Sequence, residues 1–311
     1  MTKCVIIGGN GFIGSEASRL LALRGRVVQV MGRSPSPSRA LHPGVEYFQG
    51  DYTDRKHLRS ILEPDCEVIN LAYSTVPKTS YDDPLHDLLT NLPANVGLLE
   101  ECASVGVGKL VMVSSGGTVY GTTGTLPISE KSTTMPVSPY GISKLSTELY
   151  ALMFHRNTGL PAVVVRPANA YGESQQLGRG QGFIAEAVGA VIEGREIQIY
   201  GEHGTIRDYI HVSDVASGIV AALDHGNGGE VYNIGTGKGT SNLDIINYLR
   251  PFASSSSREI HCRTLSPRIF DVPANVLDSS ILTQISGWVP RISIAEGIRR
   301  VWEARCRASA T

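Results

Sequence analysis

The 311-residue chain has only five cysteines, Cys4, Cys66, Cys102, Cys262 and Cys306, and none stands in a CxxC pair or a His-rich cluster. Such spacing argues against a metal site and against a disulfide framework, leaving separate thiols in a reducing compartment. The sequence also lacks an apolar run long enough to span a bilayer and shows no cationic leader with a cleavage site, so a cytoplasmic protein without a membrane partner is expected. Charge of one sign is missing too: 28 basic and 29 acidic residues nearly cancel. No overall field draws the protein to nucleic acid, and an anionic ligand must be gripped by individually placed groups.

What the sequence does contain is alternation. Strand-like runs at Cys4–Ile7, Val27–Met31, Val45–Phe48, Val68–Leu71, Leu110–Val113 and Val163–Val165 are separated by stretches of helical periodicity. That is the pattern of repeated βαβ units and predicts an α/β fold with a doubly wound parallel Rossmann sheet. After Arg166-Pro167 the texture changes to a Gly- and Gln-rich stretch, a helix over Phe183–Glu193 and a strand over Ile197–Tyr200. Residues 1–167 with about 206–235 are expected to bind a dinucleotide, and about 168–205 with 236–311 to form a smaller C-terminal α/β substrate-binding subdomain. Ser254–Ser257 reads as a solvated loop and Arg305–Thr311 as a frayed end. Pro93 predicts a kink or a late start in a helix spanning about Leu85 to Val105.

Gly8, Gly11 and Gly14 follow the first strand and lead, with Phe12 and Ile13, into the first helix. Glycines there let the backbone approach a pyrophosphate, whose charge is stabilised at the helix N-terminus. The spacing is GxxGxxG, and a tight turn without ligand is the alternative. The second strand ends in Met31-Gly32-Arg33-Ser34, without the carboxylate that would accept from the adenosine ribose of NAD. Arg33 and Ser34 would suit the 2′-phosphate of NADP, or Arg33 is a solvated loop residue; NAD and NADP both stay open. Asp51 and Tyr52 stand where they could border the adenine or form a polar turn.

Further along, Tyr140-Gly-Ile-Ser-Lys144 sets a phenol and an ammonium four residues apart, on one face of a helix. The ammonium can stabilise a phenolate that takes a proton from a substrate hydroxyl.

Taken in order, Gly8–Gly14, Ser114-Ser115-Gly-Gly-Thr118-Val-Tyr120-Gly121, Tyr140–Lys144, Arg166-Pro-Ala-Asn169 and Arg207-Asp-Tyr-Ile-His-Val-Ser-Asp214 resemble the extended short-chain dehydrogenase/reductases, in their nucleotide-sugar epimerase/dehydratase branch. The resemblance covers essentially the whole chain. It implies that Tyr140 is the catalytic acid/base and that Lys144 lowers its pKa while holding the nicotinamide ribose. The family's catalytic Ser or Thr falls on Gly116, so Thr118 becomes the candidate to polarise the sugar ketone, with Ser115 nearby and Gly116-Gly117 lining the sugar pocket. Gly117 and Thr118 also replace the Asp-Glu pair of the dehydratases. Leu71, Ala72, Asn91 and Pro167 resemble cofactor-side residues, and Ser74 a residue at the sugar. Asn169, Arg207 and Arg268 resemble the grip on the nucleotide diphosphate, and Asp271 the carboxylate that holds a nucleotide ribose. The implied activity is C4-epimerisation of a UDP-hexose through a transient 4-keto sugar with a bound nicotinamide cofactor, in a homodimer paired through the helices Leu85–Val105 and Pro139–His155. The alternative is NADPH-dependent reduction of a nucleotide-diphospho-4-keto-6-deoxyhexose, which the missing second-strand carboxylate and Gly116 favour.

Overall fold

A computed structural model describes residues 2–178, 182–266 and 272–309. The first half contains β1 (Lys3–Ile7), α1 (Phe12–Leu23), β2 (Val27–Gly32), β3 (Val45–Gln49), α2 (Arg55–Ile61), β4 (Glu67–Asn70), α3 (Pro77–Asp82), α4 (Pro84–Val105), β5 (Lys109–Val113), α5 (Gly116–Val119) and α6 (Pro139–Thr158). The second half runs β6 (Ala162–Pro167), β7 (Asn169–Tyr171), α7 (Phe183–Glu193), β8 (Ile197–Tyr200), β9 (Ile206–His211), α8 (Val212–His225), β10 (Val231–Ile234), β11 (Gly239–Ser241), α9 (Asn242–Ser255), β12 (Cys262–Leu265), β13 (Ala274–Asn275), α10 (Ser280–Ser286) and α11 (Ile294–Ser309).

Seven of these strands form one parallel sheet in the order β10-β6-β5-β4-β1-β2-β3. Its central strands are apolar almost throughout because both faces are covered. Val30, Ile69, Val111 and Val163 pack with Ile219 and Val220 of α8 on one side. Val5, Val68, Leu110 and Val164 pack with Leu98 and Leu99 of α4 on the other. Strand order reverses between β1 and β4, so a crevice opens at the C-terminal ends of these two neighbours, the position where ligands bind in open α/β sheets.

β9 pairs with β7, β11 and β13 in a separate small sheet. The chain therefore rejoins the large layer at α8 and β10 rather than at residue 206. A second core of Val188, Ile245, Leu249, Ile298 and Trp302 underlies the small sheet.

Three local expectations are corrected. α4 starts at Pro84 and continues through Pro93. In that stretch Asn91 and Asn95 each donate a side-chain N–H to the carbonyl four residues back, at 2.9 and 2.8 Å, which ties the turns on both sides of the proline. Ser254 and Ser255 close α9 instead of lying in a loop. Arg305 to Ser309 are the last turns of α11, an amphipathic helix whose Val301 and Trp302 anchor it in the second core.

Candidate active site

The turn after β1 is built by close backbone approach. Gly8 has φ +77°, and a Cβ on it would lie 2.8 Å from the Ala72 nitrogen. A Cβ on Gly14 would lie 2.4 Å from the Gly8 oxygen and 2.5 Å from Gly9 Cα. Gly11 is the N-cap of α1 and makes no side-chain cap bond to that helix end. Phe12 and Ile13 are half-buried in its first turn, and Ile13 packs on the large core. Asn10 donates to Ser38 Oγ at 3.2 Å, while its Oδ1 is buried without a partner. A glycine-lined turn at a helix N-terminus without a side-chain cap fits the pyrophosphate region of a dinucleotide.

The flanking residues divide. Arg33 and Ser34 are exposed beyond β2, and the Ser34 carbonyl accepts from Tyr47 Oη at 2.7 Å. Asp51 accepts from the Thr53 amide at 3.0 Å, so its carboxylate forms the polar turn. Tyr52 is packed in the core beside Leu58 and Leu98, and burial of its unpartnered hydroxyl pushes the phenol up to about 12. Leu71 and Ala72 continue from β4 alongside the glycine turn, with Leu71 N bonded to the Ile7 carbonyl at 2.9 Å. Asn91 is wholly buried, and its amide holds Ser74 N at 2.8 Å, Thr75 Oγ1 and the Asp87 carbonyl. It therefore shapes the segment after β4 from behind. Ser74 is exposed at the crevice. Pro167 is the last residue of β6, paired with Ile234 of β10.

The sugar-side segment follows β5. Ser115 is the N-cap of the four-residue helix α5, and Thr118 Oγ1 lies 3.4 Å from its carbonyl. A Cβ on Gly141 would come within 2.8 Å of the Thr118 backbone carbonyl oxygen, so the backbone of α5 sits directly against the start of α6. A Cβ on Gly116 would lie 2.4 Å from Leu277 Cδ1 and 3.0 Å from the Arg166 oxygen, and Leu277 is fully buried. A side chain at 116 would therefore have to displace the buried end of Leu277. A Cβ on Gly117 would lie 2.9 Å from Asn169 Oδ1, which places Asn169 over the same short helix. Arg207 lies on β9 in register with Asn275 of β13, whose amide donates to the Gly116 carbonyl at 3.0 Å. Arg268 and Asp271 lie outside the described residues.

Tyr140 and Lys144 occupy the first turns of α6, capped by Ser138 with Pro139 at its start. Lys144 is 6 % exposed, and its Nζ donates to the Val113 carbonyl at 2.9 Å. Burial draws the ammonium down to about 7, against the opposing pull of Glu148 and Asp87. Burial and the Asp87 charge push the Tyr140 phenol up. The Lys144 Nζ sits 3.9 Å over the Tyr73 ring and 5.7 Å from the centre of the Tyr140 ring. Beneath the site Glu148 accepts from Ser114 Oγ and pairs with Arg166 at 2.6 Å, and Arg166 also donates to Tyr120 Oη at 2.9 Å. Tyr73, Asp87, Ser143, Asn275 and Leu277 were not singled out by sequence reasoning. Tyr73 alone carries a signal there, as an aromatic between Ala72 and Ser74 at a strand end.

Residues 4–235 match the model of the NAD dependent epimerase/dehydratase family. The chain belongs to that family. It is 33% identical over 309 residues to the UDP-glucose 4-epimerase of Mycolicibacterium smegmatis, covering 97% of each chain. The crystal structure of a UDP-glucose 4-epimerase with UDP-glucose from Thermotoga maritima is similar with a TM-score of 0.90 and 31% identity, covering 99% of this chain and 100% of that one. A Thermus thermophilus UDP-glucose 4-epimerase in complex with NAD has a TM-score of 0.87 and 30% identity, covering 97% and 98%. Among the described residues, no helix is long and apolar enough to cross a membrane.

Proposed function

We propose that the protein is a nucleotide-sugar C4-epimerase acting on a UDP-hexose with NAD as its bound cofactor. The observation that carries this reading is the joining of three parts at one crevice: the glycine turn after β1, the Tyr140–Lys144 start of α6, and the Thr118 segment packed against it at Gly141. NAD, when bound, supplies the acceptor and donor for the hydrogen at C4. Tyr140 takes the 4-hydroxyl proton and returns it after the sugar has turned over. Lys144 supplies the positive charge beside the developing phenolate. Thr118 donates to the sugar oxygen in place of the absent side chain at 116, and Gly116-Gly117 leave the hexose room to rotate. Asn169 and Arg207, with Arg268, hold the nucleotide diphosphate, and Asp271 the nucleotide ribose; a guanidinium suits the diphosphate through its fork of donors.

Incubation with UDP-glucose should yield UDP-galactose, and the reverse, without net accumulation of reduced nicotinamide. A second reading rests on Arg33 and Ser34, which stand exposed at the end of β2 where no carboxylate is present. It makes the protein an NADPH-dependent 4-keto sugar reductase. Net NADPH consumption with a nucleotide-diphospho-4-keto-6-deoxyhexose, and no interconversion of UDP-hexoses, selects it. We place the protein in the cytoplasm as a homodimer. Leu85, Leu88 and Leu89 of α4 and Ile142 and Leu149 of α6 are exposed apolar side chains on two mutually packed helices, which supports pairing across a two-fold axis. Leu89→Glu should halve the mass measured by light scattering.

A further inference from the structure

Asp87 is a buried carboxylate that the proposed chemistry leaves without a use. Among the described residues its side chain accepts from Ser143 Oγ at 2.5 Å, from Thr75 Oγ1 and, more distantly, from Asn91 Nδ2 at 3.4 Å. Glu148, the other carboxylate near Lys144, is engaged by the Arg166 guanidinium. Ser143 has a single proton, which goes to Asp87, so the Tyr73 hydroxyl 2.6 Å away donates to Ser143 Oγ. The chain Tyr73–Ser143–Asp87 fixes the Tyr73 ring in one orientation. Its face carries the Lys144 ammonium at 3.9 Å, and it meets the Tyr140 ring edge-to-face at a centroid distance of 5.0 Å.

We propose that Tyr73 is a positioning residue of the active site, whose ring seats the Lys144 ammonium beside Tyr140 while Ser143 and Asp87 hold that ring in place. The inference rests on the epimerase reading for its catalytic consequence and on geometry alone for the seating. The segment after β4 and helix α4 thereby control a pair that α6 carries. The charged and titratable groups facing the ammonium are Tyr73 from the segment after β4, Asp87 from α4 and Tyr140 and Glu148 from α6, with Arg166 of β6 behind Glu148.

The test follows the Lys144 ammonium by isotope-edited NMR titration of the whole protein, assigned with Lys144→Arg, alongside steady-state kinetics. Tyr73→Leu removes the ring, so the Lys144 midpoint should fall by on the order of one pH unit. In the same variant kcat should fall roughly tenfold to a hundredfold, with KM for the sugar nucleotide within about threefold, because the reacting groups lose their alignment and the diphosphate grip does not. Tyr73→Phe keeps the ring and should rescue both readouts to within about threefold in kcat. Asp87→Asn should lower the midpoint in the same direction as the leucine variant, since the negative charge that favours the ammonium is gone. Should Tyr73→Leu unfold, Tyr73→Met serves as the second ring-free variant. A leucine or methionine variant with an unshifted midpoint and wild-type kcat overturns the proposal, as does a phenylalanine variant damaged as badly as leucine. If the wild-type protein fails to interconvert UDP-hexoses, the function reading falls, and the NMR titration still decides the seating of Lys144.

Discussion

The two walls of the crevice are specified by different means. On the β1 side the glycine turn works through backbone geometry: positive φ at Gly8, no Cβ at Gly14, an uncapped helix end. All of it lies within a few consecutive residues. On the β4 side the work falls to side chains brought from the segment after β4, α4, α5 and α6, and each depends on the others for its charge and orientation. A contiguous motif can specify a ligand cradle, whereas the reactivity of a lysine or a phenol is set by neighbours distant in the chain.

Substitutions on the two walls should therefore separate in what they damage. The largest effect belongs to Tyr140→Phe, for which kcat should fall on the order of a thousandfold in a coupled UDP-hexose assay, with NAD affinity by calorimetry nearly retained. Equal loss of both would erase the distinction between the walls. Thr118→Ala should lower kcat about a hundredfold if its hydroxyl polarises the sugar oxygen, again with little change in NAD binding. Gly14→Ala reverses the pattern. The new Cβ would push against backbone atoms of Gly8 and Gly9, so NAD affinity should drop at least tenfold and stability in urea by about 1–3 kcal/mol. The last effect concerns pH. Lys144 has a folded-state pKa of about 7 against an ordinary 10.5, so between these values the unfolded chain binds one more proton than the folded one. Stability therefore rises with pH across that window, by up to about 1.4 kcal/mol per unit. Lys144→Met should flatten the rise measured by urea unfolding.

The same contrast explains what could be read from the sequence. Six strands of the large sheet were visible as apolar runs, since strands buried on both faces leave a signal independent of their partners. The seventh, β10, was hidden because Val231–Ile234 is short and includes Tyr232 and Asn233, whose side chains meet groups elsewhere in the fold. β9 was assigned to the wrong layer because a strand's own residues do not say which sheet it joins. At the site, Tyr140, Lys144 and the glycines were legible by spacing. The position of the Lys144 ammonium was not, because Tyr73 lies far from it in sequence and nothing local links them. Asn91 was read as a helix asparagine supporting the cofactor side, and its amide oxygen accepts from the backbone of Ser74 after β4.

The contact of Leu277 with Gly116 couples two positions far apart in the chain. A serine at 116 would have to displace the end of the Leu277 side chain, and trimming the leucine leaves a void in a sealed interior. Each change made singly should cost stability, and the pair should cost less than the two together. Gly116→Ser combined with Leu277→Ala is the double variant that measures that coupling.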